Sequence, residues 1–155
     1  MVSGILGQLL QEIGAKLGIP NLSPDNKDTC LIKLKNNVPI QFELDSLGQF
    51  LIMGTVIGTV TTGRYRIDLF KAALRSNGGT PPLHGIFAFS KKTDHLILYE
   101  RFHIQNLRGD QIADEIAIFS EKAKVWIEAV AHNDVPIVQD ANAPAMSQNI
   151  FGLRR

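Results

Sequence analysis

The chain has 155 residues, of which 45% are hydrophobic and 20% are charged, and its formal net charge is +1. These values are typical of one globular domain with a sizeable core, and they favour neither nucleic acid nor an anionic membrane as a partner. No apolar run reaches the roughly 20 residues of a membrane span, and a single cysteine, Cys30, excludes an intramolecular disulfide and suits a reducing cytosol.

The first predicted element is an amphipathic helix over about residues 3–17. Leu6, Leu9 and Ile13 recur at helical spacing within a broad apolar stripe. Gly18 is a stop signal, since glycine readily adopts the left-handed turn that ends a helix. We expect this stripe to enter the core, or to remain in part available to a ligand.

Residues 29–60 predict three strands joined by turns. In the first strand, Ile32 and Leu34 alternate with lysines, which is the pattern of one buried and one solvated face. The second strand alternates in the same way. Pro39 has no N–H to donate, so the second strand should be an edge strand or be paired on only one side at that residue.

The third strand, about residues 50–60, is apolar on both faces. One face carries Phe50, Ile52, Val56 and Val60, and the other carries Leu51, Met53 and Ile57. A small domain with few helices covers only one face of its sheet, so one set should look away from the core. The sequence does not decide which set that is, but it predicts that the surplus apolar surface binds a partner.

A second helix and a hairpin follow, at about residues 64–76 and 85–102. The apolar arc of this helix is wide for its length, which indicates burial on two sides. One protomer cannot easily cover both sides, and a self-complementary twofold contact is the commonest solution. The candidate dimer-interface residues are Leu69, Phe70, Leu74, Ile86 and Phe87.

A long helix from about residue 109 completes the predicted domain, which spans residues 1–131. The remainder, residues 132–155, is rich in Ala, Asn, Gln and Pro, and is predicted to be a flexible or docking tail. Its apolar exceptions are Ile150, Phe151 and Leu153.

The sequence contains no recognisable catalytic or metal-binding constellation. The four histidines do not pair with one another or with Cys30 at a metal-ligand spacing. The glycines of the third strand lack the Gly-Lys-Ser/Thr ending of a phosphate loop. We therefore expect no cofactor, no metal and no enzymatic activity, although a small enzyme with an unrecognised site stays open as a third hypothesis.

The order of the elements and the hairpin pattern carry a resemblance to a known family. The patterns are Ile40-x-Phe42-x-Leu44 in a strand, and Phe87-x-Phe89, a polar turn with Thr93, and Leu96-x-Leu98 in the hairpin. With the amphipathic last helix, they make the chain similar, over about residues 3–131, to the class I chaperones of bacterial type III secretion systems, the Tir-chaperone-like family. Family members tend to be clearly acidic, and this chain is not.

The resemblance implies an α+β fold, a twisted antiparallel sheet with helices packed on it, in the order α-β-β-β-α-β-β-α. It also implies a cytosolic homodimer without ATPase activity that holds the N-terminal chaperone-binding segment of an effector in an extended form. Contact with the secretion apparatus is left open. The alternative is a small α+β adaptor or scaffold module that binds a folded partner.

The expected effector groove is built from the first helix and the first three strands. A flexible, polarizable methionine suits a surface that accepts different apolar anchors. The candidate effector-binding residues are Leu6, Leu9, Ile13, Ile32, Leu34, Leu51 and Met53.

Overall fold

The computed structural model describes residues 4–139, and this part of the chain forms one antiparallel sheet of five strands with three helices packed on it. The predicted fold class and order of elements are confirmed. The elements are α1 (Ile5–Leu17), β1 (Thr29–Lys33), β2 (Pro39–Leu44), β3 (Phe50–Thr59), α2 (Arg64–Asn77), β4 (Ile86–Ser90), β5 (His95–His103) and α3 (Gly109–Ala131).

The strands lie in the order β1-β2-β3-β5-β4, and every neighbouring pair is antiparallel. The second strand is therefore an interior strand. Its ladder with β3 starts only at Gln41, so Pro39 pairs with Lys33 of β1 and has no partner in β3. Proline is accommodated there because no backbone N–H is required on that side.

All three helices cover the same face of the sheet. The ring of Phe87 on β4 lies 4.1 Å from that of Trp126 on α3, and Phe70 on α2 packs edge-to-face on Phe89 at 4.8 Å. The core between helices and sheet is continuous and contains the buried residues of all eight elements. The opposite face of the sheet carries no helix within the described residues.

Helices α1 and α3 pack closely where α3 begins. The Glu12 carboxylate accepts a hydrogen bond of 2.7 Å from the Gly109 amide. A Cβ at position 109 would lie 3.0 Å from the Leu9 carbonyl oxygen and 2.9 Å from the Ile13 amide nitrogen, which are backbone atoms that cannot move aside easily. Glycine at this position therefore permits the helix crossing.

The third strand contains a β-bulge. Val56 pairs with Ile97 and Gly58 pairs with Leu96, so one residue of β3 is left without a partner. The bulge reverses the alternation beyond it, and Val60 lies in the core and not on the face of Phe50, Ile52 and Val56 as the alternation predicted. A Cβ at Gly58 would lie 2.7 Å from Cγ1 of Val130, so this glycine also permits the approach of α3.

The chain beyond α3 turns back onto the domain. The amide of Asp134 donates to the Ala129 carbonyl at 2.8 Å, the Tyr65 hydroxyl donates to the Asp134 carbonyl at 2.9 Å, and Val138 is partly buried against the core. Helix α3 ends at Ala131, and Asp134 and Val138 belong to the segment that the sequence assigned to a flexible or docking tail. The apolar residues at 150–153 and Ser3, where the predicted first helix begins, lie outside the described residues.

Candidate peptide-binding surface

The helix-free face of the sheet is an apolar groove. We call it the open face, and its apolar residues are Leu31, Ile52, Val56, Ala88, Ile97 and Tyr99. Strand alternation produces it, because every second residue of a strand points away from the helices. The groove has a volume of about 530 Å³, and its polar lining includes Gln41 and Glu43.

The open face exposes large aliphatic side chains that a stable core would bury. Leu31 is 69% exposed and Val56 is 46% exposed, while their neighbours on the inner face are buried. Antiparallel sheets often leave one face to solvent, but that face is then ordinarily polar. An apolar face of this kind marks an interaction surface.

The edge of the sheet beside the open face has free backbone groups. Strand β1 is the terminal strand of the sheet and pairs only with β2 within the described residues. Unpaired N–H and C=O groups of an edge strand are a template for another strand, whose alternate side chains would then face the groove. The arrangement suits an extended segment of polypeptide.

The strand face that sequence reasoning assigned to the groove was the wrong one. Leu51 and Met53 are completely buried and Ile32 is 4% exposed, because these residues point toward the helices. In the first helix, the predicted stripe is likewise buried in the core. The correction covers six of the seven candidates, namely Leu6, Leu9, Ile13, Ile32, Leu51 and Met53; Leu34 is partly buried against the core.

The candidate dimer residues divide into two groups. Leu69 and Phe87 are core residues of the protomer, and this corrects their assignment to an interface. Phe70 is partly buried, whereas Leu74 is 69% exposed and Ile86 is 41% exposed. The exposed pair lies on two different surfaces: Leu74 is on α2, and Ile86 on the edge strand β4 pairs with Tyr99 and so faces the open side of the sheet.

A second groove lies between the end of α1, the β1–β2 turn and α3. Its volume is about 600 Å³ and its rim carries Lys16, Lys33 and Lys35. None of these lysines forms an ion pair with another described residue. Glu121 is the acid in its lining, and its carboxylate accepts a hydrogen bond from the Asn36 side chain. This groove is more basic than the open face.

A cluster of ionisable side chains between β5 and α3 was missed by sequence reasoning. Nδ1 of His84 lies 2.7 Å from the Glu115 carboxylate, and the Lys122 ammonium donates to the Leu83 and Gly85 carbonyls at 2.9 Å. Oε2 of Glu100 is buried and accepts no hydrogen bond. Glu100 on β5 and Glu115 on α3 are 15 residues apart along the chain. No local sequence motif therefore reveals the cluster.

The cluster changes the proton affinities of its members. Burial, followed by hydrogen bonding to Glu115 and repulsion from its charge, raises the pKa of Glu100 from 4.5 to about 7. Burial lowers the pKa of Lys122, and the Glu100 charge opposes that effect. The protonated form of Glu100 carries an O–H, which is a hydrogen-bond donor beside Glu115.

Three further properties of the described residues bear on thiol reactivity, metal binding and membrane insertion. Burial raises the pKa of the Cys30 thiol, which disfavours the reactive thiolate. Residues 4–139 contain no group of three or more His, Cys, Asp or Glu side chains placed to hold a metal ion. In the same range, no helix combines the length and the apolar character that crossing a membrane requires.

Comparison with solved structures identifies the fold. A chain of the HopA1–SchA chaperone–effector complex superposes with a TM-score of 0.64 at 19% identity, covering 81% of this chain and 94% of that chain. The Yersinia pestis type III secretion chaperone SycH, solved with a stable fragment of YscM2, gives 0.61 at 20% identity, covering 78% and 98%.

A third solved structure has the same architecture. A chain of the ExoT–SpcS complex from Pseudomonas aeruginosa gives a TM-score of 0.60 at 14% identity, covering 79% of this chain and 97% of that chain. No match was found among curated protein sequences.

The family follows from the sequence match. The profile of the Tir chaperone protein (CesT) family matches residues 8–127, which include most of α1, all five strands, α2 and most of α3. The resemblance predicted from the hairpin and the order of elements is thereby confirmed. The chain belongs to the Tir chaperone protein (CesT) family, and its fold is that of the type III secretion chaperones.

Proposed function

We propose that this protein is a cytosolic type III secretion chaperone that holds the N-terminal segment of an effector extended and ready for secretion. Its family and the solved chaperone–effector complexes of the same fold support this function. The observation that carries it is the open face, an apolar groove beside an unpaired edge strand. Neither feature requires chemistry from the protein itself.

The open face favours an extended ligand over a folded one. A strand added beside β1 satisfies the free backbone groups of the edge, while side chains such as Leu31 and Val56 contact every second residue of the ligand. Backbone hydrogen bonds supply affinity without sequence preference, and the apolar groove selects the side chains. A folded partner of an adaptor would cover the groove without pairing along β1.

The homodimer is the second part of the proposal. Leu74 on α2 is an exposed aliphatic residue on the helix-covered side of the sheet, whereas Ile86 on β4 pairs with Tyr99 and belongs to the open face. A twofold contact through the exposed surface of α2 would bury Leu74 of both copies and leave the β1 edge accessible. The dimer would then present two binding surfaces to one effector segment.

The test is capture of the effector followed by localisation of its binding site. The tagged chain is purified from the cytosol of its own cells, the bound protein is identified, and its N-terminal segment is titrated into purified chaperone. Val56→Asp should weaken binding at least tenfold, because it places a charge in the groove. The control is Val125→Asp, an exposed valine on α3.

Two results would contradict the proposal. Equal binding by both variants would exclude the open face as the binding site. Binding of a folded domain of the captured protein, with no affinity for its isolated N-terminal segment, would favour the adaptor alternative.

A further inference from the structure

Strand β4, at one edge of the sheet, has backbone groups that are occupied by side chains of the helices. The Asn77 side chain, at the end of α2, donates to the Phe87 carbonyl at 2.9 Å and accepts from the Phe87 amide at 2.8 Å, as a neighbouring strand would. Two residues earlier in the chain, the Gly85 carbonyl accepts a hydrogen bond of 2.9 Å from Lys122. A continuous ligand strand therefore cannot pair along this edge.

At the other edge, alternate residues of β1 turn their backbone groups outward. In an antiparallel pair, residues that bond across the ladder alternate with residues whose N–H and C=O point away from it. The Leu34 amide donates to the Val38 carbonyl at 3.2 Å, and Pro39, opposite Lys33, has no N–H to donate. The ladder bonds therefore fall at Leu34 and at every second residue before it. The outward-facing residues of β1 are Thr29, Leu31 and Lys33.

The beginning of the β1 edge is closed by the loop that precedes it. The Thr29 amide donates to the Asp25 carboxylate at 3.0 Å, and the Thr29 carbonyl accepts from the Asp25 amide at 2.7 Å. The backbone groups of Leu31 and Lys33 form no hydrogen bond with a described residue outside the ladder, and both residues are exposed. We call these two residues the β1 window, and it offers two donors and two acceptors to another strand.

The β1 window leads directly into the second groove. Lys33 and Leu34 belong to the lining of that groove, and Leu17 and Ile116 are among its apolar residues. In a strand paired with the window, the residues opposite Leu31 and Lys33 lie on the open-face side. The residue opposite Leu34 points to the helix side, because side chains alternate along a strand. It therefore enters the second groove.

Charge differs between the two ends of the β1 window. The carboxylates of Asp25 and Glu43 lie at the closed end, beside and opposite Thr29. Lys33 lies at the other end with its side chain on the open-face side, and Lys16 and Lys35 follow on the rim of the second groove. Opposite charges on facing strands attract and like charges repel, so an acidic residue in the ligand fits the Lys33 end.

The remaining charged groups near this edge do not reverse that difference. Lys27 at the closed end lies in the same loop as two acids, Asp25 and Asp28. Glu121 is the single acid in the lining of the second groove, against three lysines. Arg101 is on β5, two strands away from the window, and its guanidinium lies 4.0 Å from the centre of the Phe50 ring.

We infer that the effector segment pairs with β1 at Leu31 and Lys33 alone, and that it is apolar opposite Leu31, acidic opposite Lys33, and apolar at the next position, which fills the second groove. This inference rests on the proposed function and specifies its ligand. The segment turns away from the sheet at Thr29, because Asp25 occupies the backbone groups there. The ligand therefore carries the spacing apolar-x-acidic-apolar, or its reverse if it runs in the other direction.

Amide hydrogen exchange of the full chain, followed by NMR, tests the β1 window before any effector is added. The amides of Leu31 and Lys33, corrected for their intrinsic rates, should exchange at least about tenfold faster than those of Ile32 and Phe87. Ile32 is bonded within the ladder, and Phe87 is bonded to Asn77. Slow exchange at both window amides would show that the edge is already covered, and it would overturn the inference.

Adding the effector segment identified by capture separates this inference from the proposed function. In the complex, exchange at Leu31 and Lys33 should slow at least about tenfold, while exchange at Phe87 stays the same. Binding that changes the open-face signals without slowing the window amides would overturn the inference and leave the proposed function standing. A segment that does not bind would refute the proposed function, and the inference would fall with it.

The acidic position is tested by exchanging charges. Lys33→Glu should weaken binding of the captured segment about three- to tenfold, and the control Lys71→Glu, an exposed lysine on α2 with the same change in charge, less than about twofold. Replacing the acid of the segment by lysine should weaken its binding to the native chain and restore binding to the Lys33→Glu chain. Equal affinities of the two chaperone variants, or no restoration, would overturn the acidic assignment.

Discussion

Replacing Glu100 by Gln should remove a pH dependence of stability that the buried cluster creates. Glutamine has nearly the shape of the protonated acid and is also a hydrogen-bond donor, but it never ionises. In the native protein the carboxyl has a pKa of about 7, against 4.5 as the ordinary value. The unfolded chain therefore ionises first as pH rises, and the native state loses stability between these two values.

The magnitude follows from the difference in pKa. A rise from 4.5 to about 7 corresponds to about 3 kcal/mol of lost stability once the group is ionised in both states, at about 1.4 kcal/mol for each pH unit. Because the side chain is only partly buried, solvent screening reduces this to about 1–2 kcal/mol. Glu100→Gln should thus stabilise the protein more at about pH 8 than at about pH 5 by this amount.

Urea denaturation at the two pH values measures the effect, with protein concentration held constant because the chain is proposed to dimerise. The control is Glu128→Gln, an exposed glutamate on α3, which should show the same difference from the native protein at both pH values. If Glu100→Gln behaves like this control, Glu100 is ionised in the native state at neutral pH, and our account of the cluster is wrong.

Three further predictions concern packing and assembly. Gly109→Ala should destabilise the protein by about 1–3 kcal/mol in urea denaturation, because its Cβ would meet the backbone of α1. The control variant Gly54→Ala, whose Cβ would have contacts of 3.6 and 3.7 Å, should not be destabilised to this extent. Equal losses of stability in the two variants would refute the close approach of α1 and α3. Met53→Asp should abolish the folded circular dichroism spectrum, because it buries an unpaired charge in the core; a folded variant would show that this side chain is accessible. Leu74→Asp should convert a dimer of about 34 kDa, twice the 17.1 kDa chain, to a folded monomer in light scattering at micromolar concentration, and an unchanged mass would place the interface elsewhere.

The sequence predicts the elements of the fold well because their signals are local. The turn at Asn37 has a positive φ of 66°, and the predicted stop at Gly18 has the left-handed conformation with a φ of 69°. The hairpin of β4 and β5 follows from two apolar runs that flank a short polar stretch. These features depend on residues a few positions apart, which the sequence places side by side.

The orientation of β3 could not be predicted, because both of its faces are apolar. Alternation separates Leu51 and Met53 from Ile52 and Val56, but only the position of the helices decides which pair is buried. The bulge at Gly58 then reverses the pattern for Val60, and a bulge has no reliable sequence signature. The candidate groove was therefore assigned to the inner face.

The helix stripes were misleading for a related reason. Leu6, Leu9 and Ile13 are as apolar as a binding surface would be, yet α3 and the sheet bury all three. Leu69 and Phe87 are likewise buried, while the exposed Leu74 and Ile86 in the same set have no distinguishing sequence pattern. Tertiary packing, which the sequence does not display, separates core from interface.

The central claim is that an extended effector segment lies on the open face. The most direct measurement is methyl NMR of the chaperone, with and without the N-terminal segment of its captured effector. The account predicts large changes in the signals of Ile52, Val56 and Ile97, and little change in those of Ile118 and Val125 on α3. Changes confined to the α3 residues, with the open-face signals undisturbed, would contradict it.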